Sequence, residues 1–105
     1  MALHQKKCKP CEGGTPPLNI DECKRLLNQL KSWNLKNSII EKKFKFKNFT
    51  EAMDFVNAIA RLAESEGHHP DIHISWNQVK ITLTTHAIKG LSENDFILAA
   101  KIDRI

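Results

Sequence analysis

The spacing of apolar and polar positions changes several times along the chain, and each change predicts an element. In Asn19-Ile-Asp-Glu22 an asparagine able to cap a helix stands three positions before a glutamate, and Leu26, Leu27 and Leu30 then supply an apolar face. This predicts a short helix ending before Trp33. From Trp33 to Lys47 the period becomes two: Ile39, Ile40, Phe44 and Phe46 are strand formers, and Lys43, Lys45 and Lys47 alternate with the phenylalanines. Two strands joined by a turn near Asn37 follow. Asn48-Phe-Thr-Glu51 repeats the capping pattern, and Phe49, Ala52, Met53, Val56, Ile59, Ala60 and Ala63 keep helical spacing without a break.

Gly67 suits the end of that helix, and Pro70 prevents its continuation. Ile72, Ile74 and Trp76 then alternate with Asp71, His73 and Ser75, and after a turn at Asn77-Gln78 the residues Val79, Ile81 and Leu83 alternate with Lys80, Thr82 and Thr84. Ser92-Glu-Asn-Asp95 caps a final helix bearing Phe96, Ile97, Ala100 and Ile105. The predicted order is α-β-β-α-β-β-α. An α+β fold, with a single four-stranded antiparallel sheet and three helices packed on one face, is the simplest way to bury these stripes. Residues 1–17 combine charge, two glycines and three prolines with almost no apolar periodicity, so they read as a flexible N-terminal arm ahead of a domain spanning residues 18–105.

Composition narrows the class. A chain of 105 residues, 41% apolar, has room for one core and one site, and a domain of this size gains buried surface by associating as a homodimer or homotetramer. No stretch approaches the roughly 20 apolar residues that cross a bilayer, and the N-terminus lacks a secretory apolar segment. All three cysteines, Cys8, Cys11 and Cys23, fall in the first quarter of the chain, which argues against a disulfide framework and for a reducing, cytoplasmic setting. The net charge of +4 is uneven: residues 1–50 carry 11 Lys/Arg against 4 Asp/Glu, residues 51–105 carry 5 against 8. An electrostatic partner would meet the first half.

The chemistry concentrates in Glu64-Ser-Glu-Gly-His68-His69-Pro70, between the long helix and a strand, and in Thr84-Thr85-His86, where the next strand runs out. Neighbouring strands lie about 4.8 Å apart, so the start of one lies near the end of the other and His68, His69 and His86 should converge. Glu64, roughly 60° around the helix from Phe49, sits at the rim of the apolar stripe, where its carboxylate could orient an imidazole. Histidine titrates near neutral pH, so clustered rings can include one that donates a proton and another that accepts one. Zinc is the other use of clustered histidines, but an adjacent pair has neither helical i, i+4 spacing nor a nearby cysteine, so no metal is expected here.

These segments resemble the pterin-4a-carbinolamine dehydratases, also called 4a-hydroxytetrahydrobiopterin dehydratases. The likeness runs from about Leu18 to Ile102 and rests on EGHHPDI, Trp76-Asn77-x-Val79, ITLTTHAIKGLSENDF and the helical FxxAxxFVNxIAxxAE from Phe49 to Glu64; the arm's CKPCEGGTPPL is similar to bacterial members. The resemblance implies dehydration of a 4a-hydroxytetrahydropterin to quinonoid dihydropterin, following aromatic amino acid hydroxylation, without metal or cofactor. It also implies that His68, His69 and His86 carry catalysis, that Glu64 supports them, and that Pro70, Thr85, Ala87 and Ile88 line the pterin pocket, with Gly90 letting the chain bend away. Gly67, Ile72 and Asn94 stand where animal members carry Asp, an aromatic and Arg, and these departures leave the three imidazoles intact. Animal members also partner a homeodomain transcription factor, which makes a coactivator or dimerisation module the alternative reading.

Other features point less far. The basic Lys42–Lys47 strand could follow a phosphate backbone, but its phenylalanines fall on the opposite side and would be buried, so nucleic acid is not the expected partner. Cys8-x-x-Cys11 could pair with His4 and Cys23 around zinc or act as a redox pair, although one such spacing on an arm reads more simply as silent. His73 belongs on a solvated strand face. Trp33 and Trp76 read as core or rim aromatics, with Trp76 near the pocket in sequence.

Overall fold

A computed structural model describes residues 1–10 and 13–105. Its helices are α1 (Ile20–Leu27), α2 (Phe49–Glu66) and α3 (Glu93–Ile102), and its strands β1 (Asn34–Lys36), β2 (Ile39–Lys45), β3 (Asp71–Ser75) and β4 (Gln78–Leu83). Single 3-10 turns cover Leu3–Gln5 and His86–Ile88. The four strands form one antiparallel sheet in the order β1-β2-β4-β3, so the α+β class and the predicted order of helices and strands hold.

The capping patterns form as the sequence requires. Asn19 Oδ1 accepts from Glu22 N–H at 2.8 Å while Glu22 Oε1 accepts from Asn19 N–H at 3.1 Å. Asn48 Oδ1 accepts from Glu51 N–H at 2.9 Å, and α2 ends at Gly67 in the left-handed region, φ 68°, a conformation that costs glycine little. Asn37, φ 51°, makes the tight β1–β2 connection.

One face of the sheet is covered. Ile40, Val79, Ile81 and Leu83 are fully buried and meet Ala52, Ile59 and Ala63 of α2 and Phe96, Leu98 and Ala99 of α3 in one apolar cluster. Phe44 and Phe46 turn to this side, with ring centroids 4.7 and 4.9 Å from Phe55 of α2, where they cannot stack on bases. Lys42 is also on this side, paired with Asp103 at 2.8 Å and lying over the Phe44 ring, while Trp33 Nε1 donates to the other oxygen of Asp103.

One expectation needs correction. Trp76 is not a strand residue facing the core; it occupies the β3–β4 turn with φ 50° and is 65% exposed, at the opposite end of the hairpin from the histidines. Two residues of the N-terminal arm join the core. Leu3 and Cys8 belong to the apolar cluster, and the Leu3–Gln5 turn lies against α3, because a single leucine and a thiol suffice to seat a short segment in a groove that periodicity does not reveal. Among the described residues no helix is long and apolar enough to cross a membrane.

Candidate active site

Sheet register assembles the site. Asp71 at the start of β3 pairs with Thr82 near the end of β4, so the segment entering β3 and the segment leaving β4 run side by side. The first carries His68 and His69, released from α2 by Gly67; the second carries Thr84, Thr85 and His86. Thr85 and Gly90 then bridge, Thr85 N–H donating to Gly90 O at 2.9 Å, which closes a small loop that presents His86 on its 3-10 turn.

The three imidazoles share a cavity of about 280 Å³ with Thr84, Thr85 and Ala87. Gly67 and Asn94 add to the wall on the α2 and α3 sides. Glu64, Pro70 and Ile88 lie off it: Ile88 is buried beneath the loop, and Glu64 reaches the site only through His69.

The rings differ in their support. His69 Nε2 lies 2.5 Å from Glu64 Oε2, both side chains largely exposed, so water screens this pair and it orients more than it stabilises. His68 is mostly buried, with Nε2 2.6 Å from Oδ1 of Asp95, a carboxylate with no exposed surface. Oδ2 of Asp95 also accepts from Thr85 Oγ1 at 2.8 Å and from Ser92 N–H at 2.9 Å. Since the Thr85 proton points to Asp95, the Ser92 hydroxyl donates to Thr85 Oγ1 at 2.7 Å, and every polar atom of this buried knot is used. His86 is exposed and its imidazole has no hydrogen-bond partner among the described residues.

Asp95 is the contact of His68 that sequence reasoning missed. The Ser92-x-x-Asp95 spacing was legible as a cap, and it is one: the carboxylate accepts from the Ser92 N–H. The same spacing could not disclose that its other oxygen reaches a histidine 27 positions earlier. His73, as expected, sits on the open sheet face, beside Lys43 and Lys80.

Cys8 and Cys23, the described cysteines, do not line the cavity. Cys8 is buried with its thiol directed at Asn94 O, and burial first, then the neighbouring Glu66 carboxylate, pushes its pKa up to about 12. A thiol held in this way is a poor metal ligand or redox partner at neutral pH. Cys11, the other half of the Cys-x-x-Cys spacing, lies outside the described residues.

Fold and site together define a small α+β protein with a cleft lined by three imidazoles, two of them paired with carboxylates. The family model described as "Pterin 4 alpha carbinolamine dehydratase" matches residues 16–105. A protein of Alkaliphilus metalliredigens, whose name places it among the pterin-4-alpha-carbinolamine dehydratases, is 57% identical over 97% of this chain and 94% of its own length. A similarly named protein of Nitrosospira multiformis is 52% identical over 98% and 91%. The crystal structure of a transcriptional coactivator/pterin dehydratase from Brucella melitensis superposes with a TM-score of 0.80 at 33% identity, over 84% of this chain and 96% of that one. A pterin dehydratase-like protein described as a RuBisCO assembly factor in the alpha-carboxysome gives 0.58 at 30% identity, over 69% and 83%. The chain belongs to the pterin-4-alpha-carbinolamine dehydratase family, a family of hydro-lyases.

Proposed function

We propose that this chain dehydrates a 4a-hydroxytetrahydropterin to the quinonoid dihydropterin by histidine acid–base catalysis, and that it serves tetrahydropterin recycling after aromatic amino acid hydroxylation. The observation that carries the reading is the meeting of His68, His69 and His86 on one cavity, together with the family to which the chain belongs.

The reaction asks for two proton transfers. A protonated imidazole gives its proton to the 4a-hydroxyl as the C4a–O bond breaks, and the oxygen leaves as water. A neutral imidazole takes the N5 proton, and the N5–H electrons become the new C4a=N5 bond. Protons balance within the site, which therefore returns to its starting state after its rings exchange protons with solvent. The differing support suits this division of labour: His68 is fixed by a buried carboxylate, whereas His69 and His86 face open solvent. Thr85 and Ala87 act as walls for the flat pterin ring, Thr85 also holding Asp95 in place.

The test is stopped-flow dehydration of chemically generated 4a-hydroxytetrahydropterin. Acceleration well above the spontaneous rate is expected; a rate equal to that of buffer alone would remove the assignment.

A further inference from the structure

Part of the cavity wall comes from neither histidine segment. Lys9 and Pro10 of the N-terminal arm line it as well, and the arm's backbone is fastened at that point. Cys8 N–H donates to Glu66 Oε1 at 2.9 Å, and Glu66 is itself held by Lys101 at 2.8 Å. Lys9 N–H donates to Asn94 Oδ1 at 2.9 Å while Asn94 Nδ2 donates back to Lys9 O, so one buried amide side chain takes both polar groups of one arm residue. The hydrogen-bonding pattern is that of a paired strand residue.

Further on, the arm crosses the His86 loop. A Cβ at Gly90 would stand 2.6 Å from Pro17 Cβ, and Leu18 N–H donates to Leu91 O at 2.9 Å. The arm is thus tied at Cys8 and Lys9 and again at Pro17 and Leu18.

The charges on the wall are one-sided. No Asp or Glu is among its described residues, and the two carboxylates behind it, Asp95 and Glu64, are taken up by His68 and His69. Lys6, Lys42 and Lys101 all have carboxylate partners, whereas the Lys9 ammonium has none among the described residues. An unpaired ammonium on a long stem, with its backbone clamped at the rim of a substrate cavity, is placed to meet an anion extending from the bound molecule.

We propose that Lys9 is a substrate-positioning residue that selects pterins with an anionic side chain, a phosphate ester or a carboxylate, and that Asn94 is a positioning residue that holds Lys9 at the rim. The proposal rests on the dehydratase reading above.

Two 4a-hydroxytetrahydropterins, one with a neutral methyl side chain and one with a phosphate ester in its place, are compared in the same stopped-flow assay with the full chain, Lys9→Met, Lys9→Arg and Asn94→Ala. The parent should favour the anionic substrate in KM, and salt should erode that preference. Lys9→Met should raise KM for the anionic substrate about five- to tenfold with little change in kcat, and move KM for the neutral one far less. Lys9→Arg should restore the preference, which a merely structural role for the side chain would not require. Asn94→Ala should reproduce the Lys9→Met effect, and the double variant should lose no more than either single one. An unchanged ratio of the two KM values in Lys9→Met, a folded and exposed-site variant, would overturn the proposal whatever Asn94→Ala does. Failure of the parent to accelerate either substrate would instead remove the dehydratase reading, and the role of Lys9 with it.

Discussion

Replacing Asp95 by asparagine separates the chemistry of this site from its architecture. The Asp95 carboxylate is fully buried and takes three donors, His68 Nε2 at 2.6 Å on one oxygen, Thr85 Oγ1 at 2.8 Å and Ser92 N–H at 2.9 Å on the other. In Asp95→Asn the amide oxygen can keep the Thr85 and Ser92 bonds, but the amide nitrogen then faces His68 with nothing except N–H to offer. His68 must answer with a lone pair on Nε2, which fixes its proton on the other nitrogen and disfavours the doubly protonated ring. Two bonds to a charged acceptor become neutral ones, each weaker by about 1 kcal/mol, so the variant should lose about 2 kcal/mol and still fold. Asp95→Ala removes all three bonds and leaves the Ser92 N–H and Thr85 hydroxyl without an acceptor, at about 1–3 kcal/mol apiece, for a loss of about 3–5 kcal/mol. If His68 exchanges a proton with substrate, or must be charged to act, Asp95→Asn should also lower kcat/KM by on the order of 10² under conditions where it is fully folded. Urea unfolding followed by fluorescence of the buried Trp33, alongside the stopped-flow assay, gives both numbers. The reasoning fails if Asp95→Asn keeps kcat/KM within a factor of about three of the parent, or if Asp95→Ala costs less than about 1 kcal/mol.

Further outcomes follow from other contacts. His69→Ala and His86→Ala should each cut kcat/KM by on the order of 10² while changing stability by less than about 1 kcal/mol, since both rings are exposed; the double variant should lose much less than the product, and folded single variants with parental rates would exclude these rings from catalysis. Glu64→Gln should be milder than either, because its pair with His69 is solvent-screened. Burial alone would raise the Glu66 carboxyl, but the Cys8 N–H and the Lys101 ammonium outweigh it and hold the group below its ordinary value of 4.5. A group that titrates lower folded than unfolded adds stability in full above that ordinary value and loses it as pH falls through the folded one. Protection of the Cys8 amide in hydrogen exchange should therefore fade on acidification through this range, and Glu66→Gln should weaken it already at neutral pH. Gly90→Ala should displace Pro17 or the His86 loop, at about 1–3 kcal/mol and with a loss of activity, because its new Cβ would stand 2.6 Å from Pro17 Cβ; unchanged melting and rate would show that the arm yields freely there.

The sequence by itself determined the order of the elements and several of their ends. Asn19 with Glu22, Asn48 with Glu51 and Gly67 after Glu66 are local signals, each satisfied by backbone groups a few residues away, so no knowledge of the fold was needed to read them. The alternation in Val79, Ile81 and Leu83 similarly told which side of β4 is buried, and the placement of two histidine segments at the ends of neighbouring strands told that the three rings would meet. What the sequence did not determine was everything that depends on a partner far along the chain. That β4 lies between β2 and β3, that Asp95 closes on His68, and that Asn94 and Glu66 fasten the arm beside the site were decided by tertiary packing. A capping aspartate looks the same in sequence whether its second oxygen meets water or an imidazole, and an arm with one leucine shows no period to betray its seat. Trp76 illustrates the converse: alternation continued one residue past the strand, and only the backbone's turn to φ 50° carried the ring out to solvent. Periodicity reports how a residue relates to its own element, whereas a buried hydrogen bond depends on which two elements the core brings together, and that is set by the packing of the whole domain.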